Sequence, residues 1–250
     1  MTEPWRGKVY LTGAGPGAAD LLTLRAARLL ERADIVFHDS LVSRDVLAMC
    51  PARCALVSVG KRCGFTDQER QPRIHQLLDE ATRKFSVVVR LKGGDPGVFG
   101  RSGEELEYLA RQGIPWEVIP GISSGVGGLS TLGLPLTHRD LASSVTLMTG
   151  SQGISGAFPG IPVQLSPTQT LVFYMGFQHT AALVADLLRH GMDPSTYALC
   201  ASRITSPDQR LLAAPLERIG AEVNEAGLQT PALLVVGNVV KLWKGLMGKP

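Results

Sequence analysis

Apolar residues fall in short runs along the chain, and most runs close on glycine, proline or a charged residue. Val9–Leu11 is the first, ending in Thr12-Gly13-Ala14-Gly15-Pro16-Gly17. Leu22, Ala26, Leu29, Leu30 and Ala33 then recur at helical spacing, with Arg25, Arg28 and Arg32 opposite. Asp34–His38 predicts a buried strand ending at Asp39, Val42–Met49 a short helix, and Leu56–Val59 a third strand ending at Gly60-Lys61. Arg70–Lys84 predicts a helix with Ile74, Leu77, Leu78 and Ala81 inward. Ser86–Leu91 is the fourth strand, closing on Lys92-Gly93-Gly94-Asp95-Pro96; a helix over Gly103–Gln112 leads to a fifth, Trp116–Ile119. Strands alternating with helices predict a parallel sheet.

Pro120-Gly121 punctuates the chain. Ser123–Leu132 predicts a packed helix, and Gly133–Asp140 a loop. Strands follow at Ser144–Met148, Thr170–Tyr174, Tyr197–Ala201, Gln209–Ala213 and Ala232–Val236, with helices at Thr180–Arg189 and Leu216–Ala226. Ser151–Thr168 reads as an exposed connection. The expected fold is α/β in two domains, a parallel sheet over residues 1–120 and a mixed sheet over 121–250, with the active-site cleft between them.

Composition narrows the class. Of 250 residues, 44% are hydrophobic and 19% charged, which excludes a disordered chain. The 28 glycines follow no Gly-X-Y period and imply many special turns, as in loop-built ligand sites. A net charge of +3 gives no argument for nucleic acid. No apolar run reaches the ~20 residues of a membrane helix, and Met1–Arg6 carries no apolar signal segment, so the expected compartment is the cytoplasm. Cys50, Cys54, Cys63 and Cys200 include no Cys-x-x-Cys, and reduced thiols rather than a metal site are expected.

Gly13-Ala14-Gly15-Pro16-Gly17-Ala18 fits the dinucleotide pattern G-x-G-x-x-G/A after a strand, with Asp39 farther on. Pro16 breaks the logic of that motif, since it has no N–H to offer a pyrophosphate. A dinucleotide site, another nucleoside ligand and a structural turn all remain open. Asp39, Lys61 and Asp95 stand with two glycine loops at strand ends, the edge where parallel sheets bind ligands.

The segments VYLTGAGPGAADLLTLRAARLLERADIVFHDSLVS, VGKRCG, VVRLKGGDPGVFGRSGEEL, VIPGISSGVGGLSTLGLPLTHRD, LVFYMG, TSPDQR and TPALLVVGNVV resemble the tetrapyrrole methylase family, in its order, from about residue 8 to 242. RLKGGDPxxFGR with PLTHRD narrows the resemblance to members that C-methylate uroporphyrinogen III. It implies a homodimeric enzyme that moves two methyl groups from S-adenosylmethionine to carbons C2 and C7, giving precorrin-2 and S-adenosylhomocysteine. The product would feed siroheme or cobalamin formation. The cofactor contacts it implies are Pro16, Gly93, Gly94, Asp95, Val98, Ser123, Ser124, Met175, Ile204 and Ala232.

The acceptor is rich in carboxylates, which suits arginine. Arg101 and Arg139 are the main candidates, with His138 and Met175 beside them and Lys61 and Arg210 behind. Asp39, Lys61, Arg101 and Glu104 are the candidates for charge stabilisation and proton handling. The sequence departs from the family in PGISSG, in GRSGEE, at Ile204 where a glycine is usual, and over Phe65–His75. Val235–Trp243 is apolar, and the part outside the last strand is expected to face a partner copy. The competing readings are a methylase of a later corrin precursor, an NAD-dependent oxidoreductase and a non-catalytic tetrapyrrole carrier.

Overall fold

The computed structural model describes residues 5–60, 67–151, 158, 161 and 165–248. The chain divides into two compact units, between Ser123 and Ser124.

The first unit is a strand–helix alternation. Its strands are β1 (Lys8–Gly13), β2 (Ile35–His38), β3 (Ala55–Ser58), β4 (Val87–Lys92) and β5 (Trp116–Ile119). Its helices are α1 (Leu24–Leu30), α2 (Arg44–Leu47), α3 (Asp67–Lys84) and α4 (Ser102–Arg111). All strand pairs are parallel, in the order β3-β2-β4-β1-β5. Thr23 caps α1, its hydroxyl accepting from the Ala26 amide at 3.2 Å, and Ser43 caps α2 through Val46. Apolar layers cover both faces of the sheet. Ala26, Leu29, Leu30 and Val46 pack with Val89 and Leu91 on one side. Ile74, Leu78, Ala81 and Leu109 pack with Val9, Leu11 and Val88 on the other. The central strand β4 is therefore buried over nearly its whole length.

The second unit contains β6 (Ser144–Thr149), β7 (Gln169–Tyr174), β8 (Tyr197–Ser202), β9 (Arg210–Pro215) and β10 (Ala232–Val236), with α5 (Thr180–Arg189), α6 (Leu216–Glu225) and α7 (Asn238–Met247). The sheet is mixed, ordered β6-β7-β10-β8-β9. Only β6 and β7 run parallel; the other pairs are antiparallel. Among the described residues no helix is long and apolar enough to cross a membrane.

Three expectations need correction. Ser124–Gly128 forms a π-type turn rather than a regular packed helix. Three glycines in five residues favour regular helix poorly, and the Gly125 amide donates to the Tyr174 hydroxyl at 2.9 Å. Most of the C-terminal apolar stretch packs inside its own unit, Leu242 being half-buried. It enters α7, where Val239, Val240 and Trp243 are buried in their own unit and the Trp243 indole donates to the Leu132 carbonyl at 2.8 Å. Ser151–Thr168 falls mostly outside the described residues, but Phe158 is buried in the core beside Leu183 and Leu187 rather than exposed.

Candidate active site

Parallel pairing brings the carboxyl ends of β1, β2, β4 and β5 to one edge of the first unit, where the glycine loops meet. Gly15 and Gly94 bridge each other, the Gly94 amide donating to the Gly15 carbonyl at 2.8 Å and the Gly15 amide to Gly94 at 3.2 Å. Their φ values of 72° and 70° favour glycine. Gly121, after β5, lies so close that a methyl on it would strike the Gly94 carbonyl and stand 2.7 Å from Gly13 Cα. Asp95 ties the arrangement together. One carboxylate oxygen accepts from the Gly97 amide at 2.8 Å, the other from the Gly121 amide at 2.9 Å. Ser123 passes near Gly94, and the Val98 amide donates to the Asp95 carbonyl at 3.2 Å. Pro16 is half-buried on the first loop. Neither loop itself contains a cation, and Lys92, which precedes the second loop, is buried and paired. A wall of backbone groups and a proline ring suits an uncharged nucleoside better than a pyrophosphate.

Asp39 follows β2 at the same edge. Its Oδ1 accepts from Arg90 Nη2 at 2.6 Å. Arg90 Nε donates to Glu105 at 3.0 Å, and Lys92 Nζ donates to the other Glu105 oxygen at 2.6 Å. Burial works against the Glu105 charge, but Arg90 and Lys92 outweigh it and hold its carboxyl below the usual range. Burial, reinforced by Arg90, pulls the Lys92 ammonium below the usual lysine range despite Glu105. The sequence reading did not single out Arg90, Lys92 and Glu105 as site residues. The available signal was two cations two residues apart inside an apolar strand.

Arg101 and Glu104 stand at the start of α4 as an exposed pair, joined by two hydrogen bonds of 2.8 Å. Those bonds hold the Glu104 carboxyl below its usual range, which keeps it ionised. Lys61 lies outside the described residues, as does Cys63. Burial, with Cys54 beside it, pushes the Cys50 thiol up to about 12, so it is a protonated thiol.

In the second unit the register does the gathering. Ala232 pairs with Ser202, and Leu234 with Phe173, so Met175, Ile204 and Ala232 lie at one end of the sheet. Met175 is exposed with φ 57°. Ile204 is buried, so its side chain belongs to the core and its backbone is the part left for a ligand. It sits between Arg203 and Thr205, at φ 50° and 65°. Phe99, Arg101, Met175, Arg203 and Thr205 are the non-glycine positive-φ residues among those described, and all lie in candidate-site loops. Such strain collects at functional sites. Ser124 opens the π-type turn that Tyr174 holds. His138 and Arg139 stand on the approach to β6. Arg139 is exposed, and His138 Nδ1 accepts from the Asp140 amide at 3.2 Å, which leaves the proton of the neutral ring on Nε2.

Against known proteins, residues 8–220 match the family model for tetrapyrrole (corrin/porphyrin) methylases. The chain is 43% identical over 238 residues to a chloroplastic S-adenosyl-L-methionine-dependent uroporphyrinogen III methyltransferase of Arabidopsis thaliana, covering 94% of this chain and 64% of that protein. It is 42% identical to a siroheme synthase of Pseudoalteromonas atlantica, over 95% of this chain and 51% of that one. The chain thus spans about half to two thirds of these curated relatives. A uroporphyrin-III C-methyl transferase of Thermus thermophilus, solved with S-adenosyl homocysteine, superposes with a TM-score of 0.80 at 42% identity, covering 94% of this chain and all of that one.

Proposed function

The chain belongs to the tetrapyrrole (corrin/porphyrin) methylases, and from that membership we propose that it methylates uroporphyrinogen III at C2 and C7, using S-adenosylmethionine and yielding precorrin-2. The observation that carries this reading is the pair of interlocked loops, Gly13–Gly17 and Gly93–Asp95, which suit a nucleoside without phosphates. When bound, S-adenosylmethionine supplies a reactive methyl on a sulfonium. Pro16, Gly93, Gly94, Asp95, Val98, Ser123, Ser124, Met175, Ile204 and Ala232 are the residues proposed to hold it.

The chain's own work is threefold. It aligns the acceptor carbon, stabilises positive charge passing into the macrocycle, and takes the proton that leaves a meso carbon. Asp39, hydrogen-bonded to Arg90 and with its side chain 29% exposed at the edge, suits the second and third tasks. Exposed Arg139 and the Arg101–Glu104 pair suit recognition of the acceptor's carboxylates, with His138 and Lys61 in support. The working unit in this reading is a cytoplasmic homodimer, which light scattering tests directly; a monomeric mass at micromolar concentration refutes the dimer.

Incubation with uroporphyrinogen III and methyl-labelled S-adenosylmethionine should label the macrocycle. Absence of label, or tight NAD binding with none of S-adenosylhomocysteine, overturns the assignment.

A further inference from the structure

The ion cluster behind Asp39 has no part in the chemistry described so far. β4 carries Arg90 and Lys92 into the interior of the first unit, where they are 3% and 2% exposed. Two residues apart on a strand, they share a face, and α4 sets the fully buried Glu105 against both. With Asp39 the cluster holds two positive and two negative charges and is neutral. Stability alone does not call for it, because apolar side chains of similar volume serve a core as well or better.

The geometry gives the cluster a direction. The planar guanidinium of Arg90 is engaged at every nitrogen: Nε with Glu105, Nη2 with Asp39, and Nη1 with the carbonyls of Phe37 at 3.4 Å and Leu91 at 3.2 Å. A group tied at three nitrogens cannot swing. It fixes Asp39 Oδ1 from the buried side, while Oδ2 carries no hydrogen bond among the described residues. We propose that Arg90 is a positioning residue: gripped by Glu105, which Lys92 anchors in turn, it aims the Asp39 carboxylate at the acceptor. The inference rests on reading Asp39 as the carboxylate that works on the macrocycle.

A double-substitution cycle on the whole chain tests it, using wild type, Asp39→Asn, Arg90→Gln and the combined variant. The readouts are kcat, the acceptor KM and S-adenosylhomocysteine affinity. Arg90→Gln should lower kcat about ten- to a hundredfold, move KM and ligand affinity less than about threefold, and cost nothing further once Asp39 is Asn. An unchanged kcat, or the same loss on both backgrounds, overturns positioning. Arg90→Gln leaves a buried carboxylate short of its partner and can unfold the unit. The triple variant Arg90→Met, Lys92→Met, Glu105→Leu removes the buried charges together and keeps the question open to measurement. The same kcat loss at a wild-type melting temperature is expected, and a wild-type kcat refutes the proposal. If Asp39→Asn alone retains full kcat, the reading of Asp39 fails and Arg90's role goes with it. If the wild type transfers no methyl group, the functional assignment itself has failed.

Discussion

Asp95 and Arg139 separate two kinds of functional residue. The Asp95 carboxylate satisfies two amides of its own chain, Gly97 and Gly121, and so shapes the loop that would meet the cofactor. Asp95→Ala should weaken S-adenosylhomocysteine binding by about 1–3 kcal/mol, more than it weakens the acceptor. Calorimetry decides, and unchanged affinity counts against the claim. Arg139 is exposed and shapes nothing of that kind. Its replacement by Ala should cost acceptor binding about 1.5–3 kcal/mol while cofactor affinity holds; titration with each ligand separates the two effects. The residues hardest to read were Arg90, Lys92 and Glu105. Charges at alternate strand positions ordinarily mark a solvated face. Here β4 is the central strand and both faces are covered, so the same alternation points into the core.

At the level of elements, the loops depend on how closely the strand ends approach. Gly121→Ala would push a methyl into the Gly94 carbonyl. Backbone cannot step aside as a side chain can, so a loss on the order of 1–3 kcal/mol is expected in urea denaturation, together with weaker S-adenosylhomocysteine binding. The β4–α4 contact has its own signature in acid. Glu105 titrates below its ordinary 4.5 in the folded chain. Its pairing therefore stabilises fully above that pH and is lost as pH falls from there through the lowered folded value. Urea midpoints should drop more steeply over this range for the wild type than for the triple variant of Arg90, Lys92 and Glu105; parallel curves would contradict this. Most strands were legible because period-two and period-3.6 patterns are local. The π-type turn at Ser124–Gly128 was not, since its form depends on Tyr174, far along the chain. Nor was α7, whose apolar residues resume after only Gly237-Asn238 beyond β10.

For the whole molecule, the count of motifs matters. There is one GAGPG, one GGDP and one YMG, hence, on the proposed reading, one cofactor site for two methylations. Two target carbons on different rings cannot both stand in line with one methyl donor. On that reading the macrocycle would have to turn or rebind, and spent cofactor would have to exchange between the steps. A mass-resolved time course at limiting S-adenosylmethionine should show a singly methylated species that rises early and then converts. Single methylation as the end point under excess cofactor would refute it. Self-association has to rest on other surfaces than Val239, Val240 and Trp243, which α7 spends on its own core.

The sequence by itself determined the alternation of strands and helices, the parallel and mixed sheets, the glycine loops and the family. Those follow from side-chain periodicity, from φ preferences and from contiguous motifs, all of which are written within a few residues of one another. The tertiary structure alone decided which charges are buried, and that Asp95 serves its own backbone. It alone set Met175, Ile204 and Ala232 at one end of a sheet. Those outcomes depend on what covers a strand and on the register of strands distant in the chain, and neither is encoded in any local window.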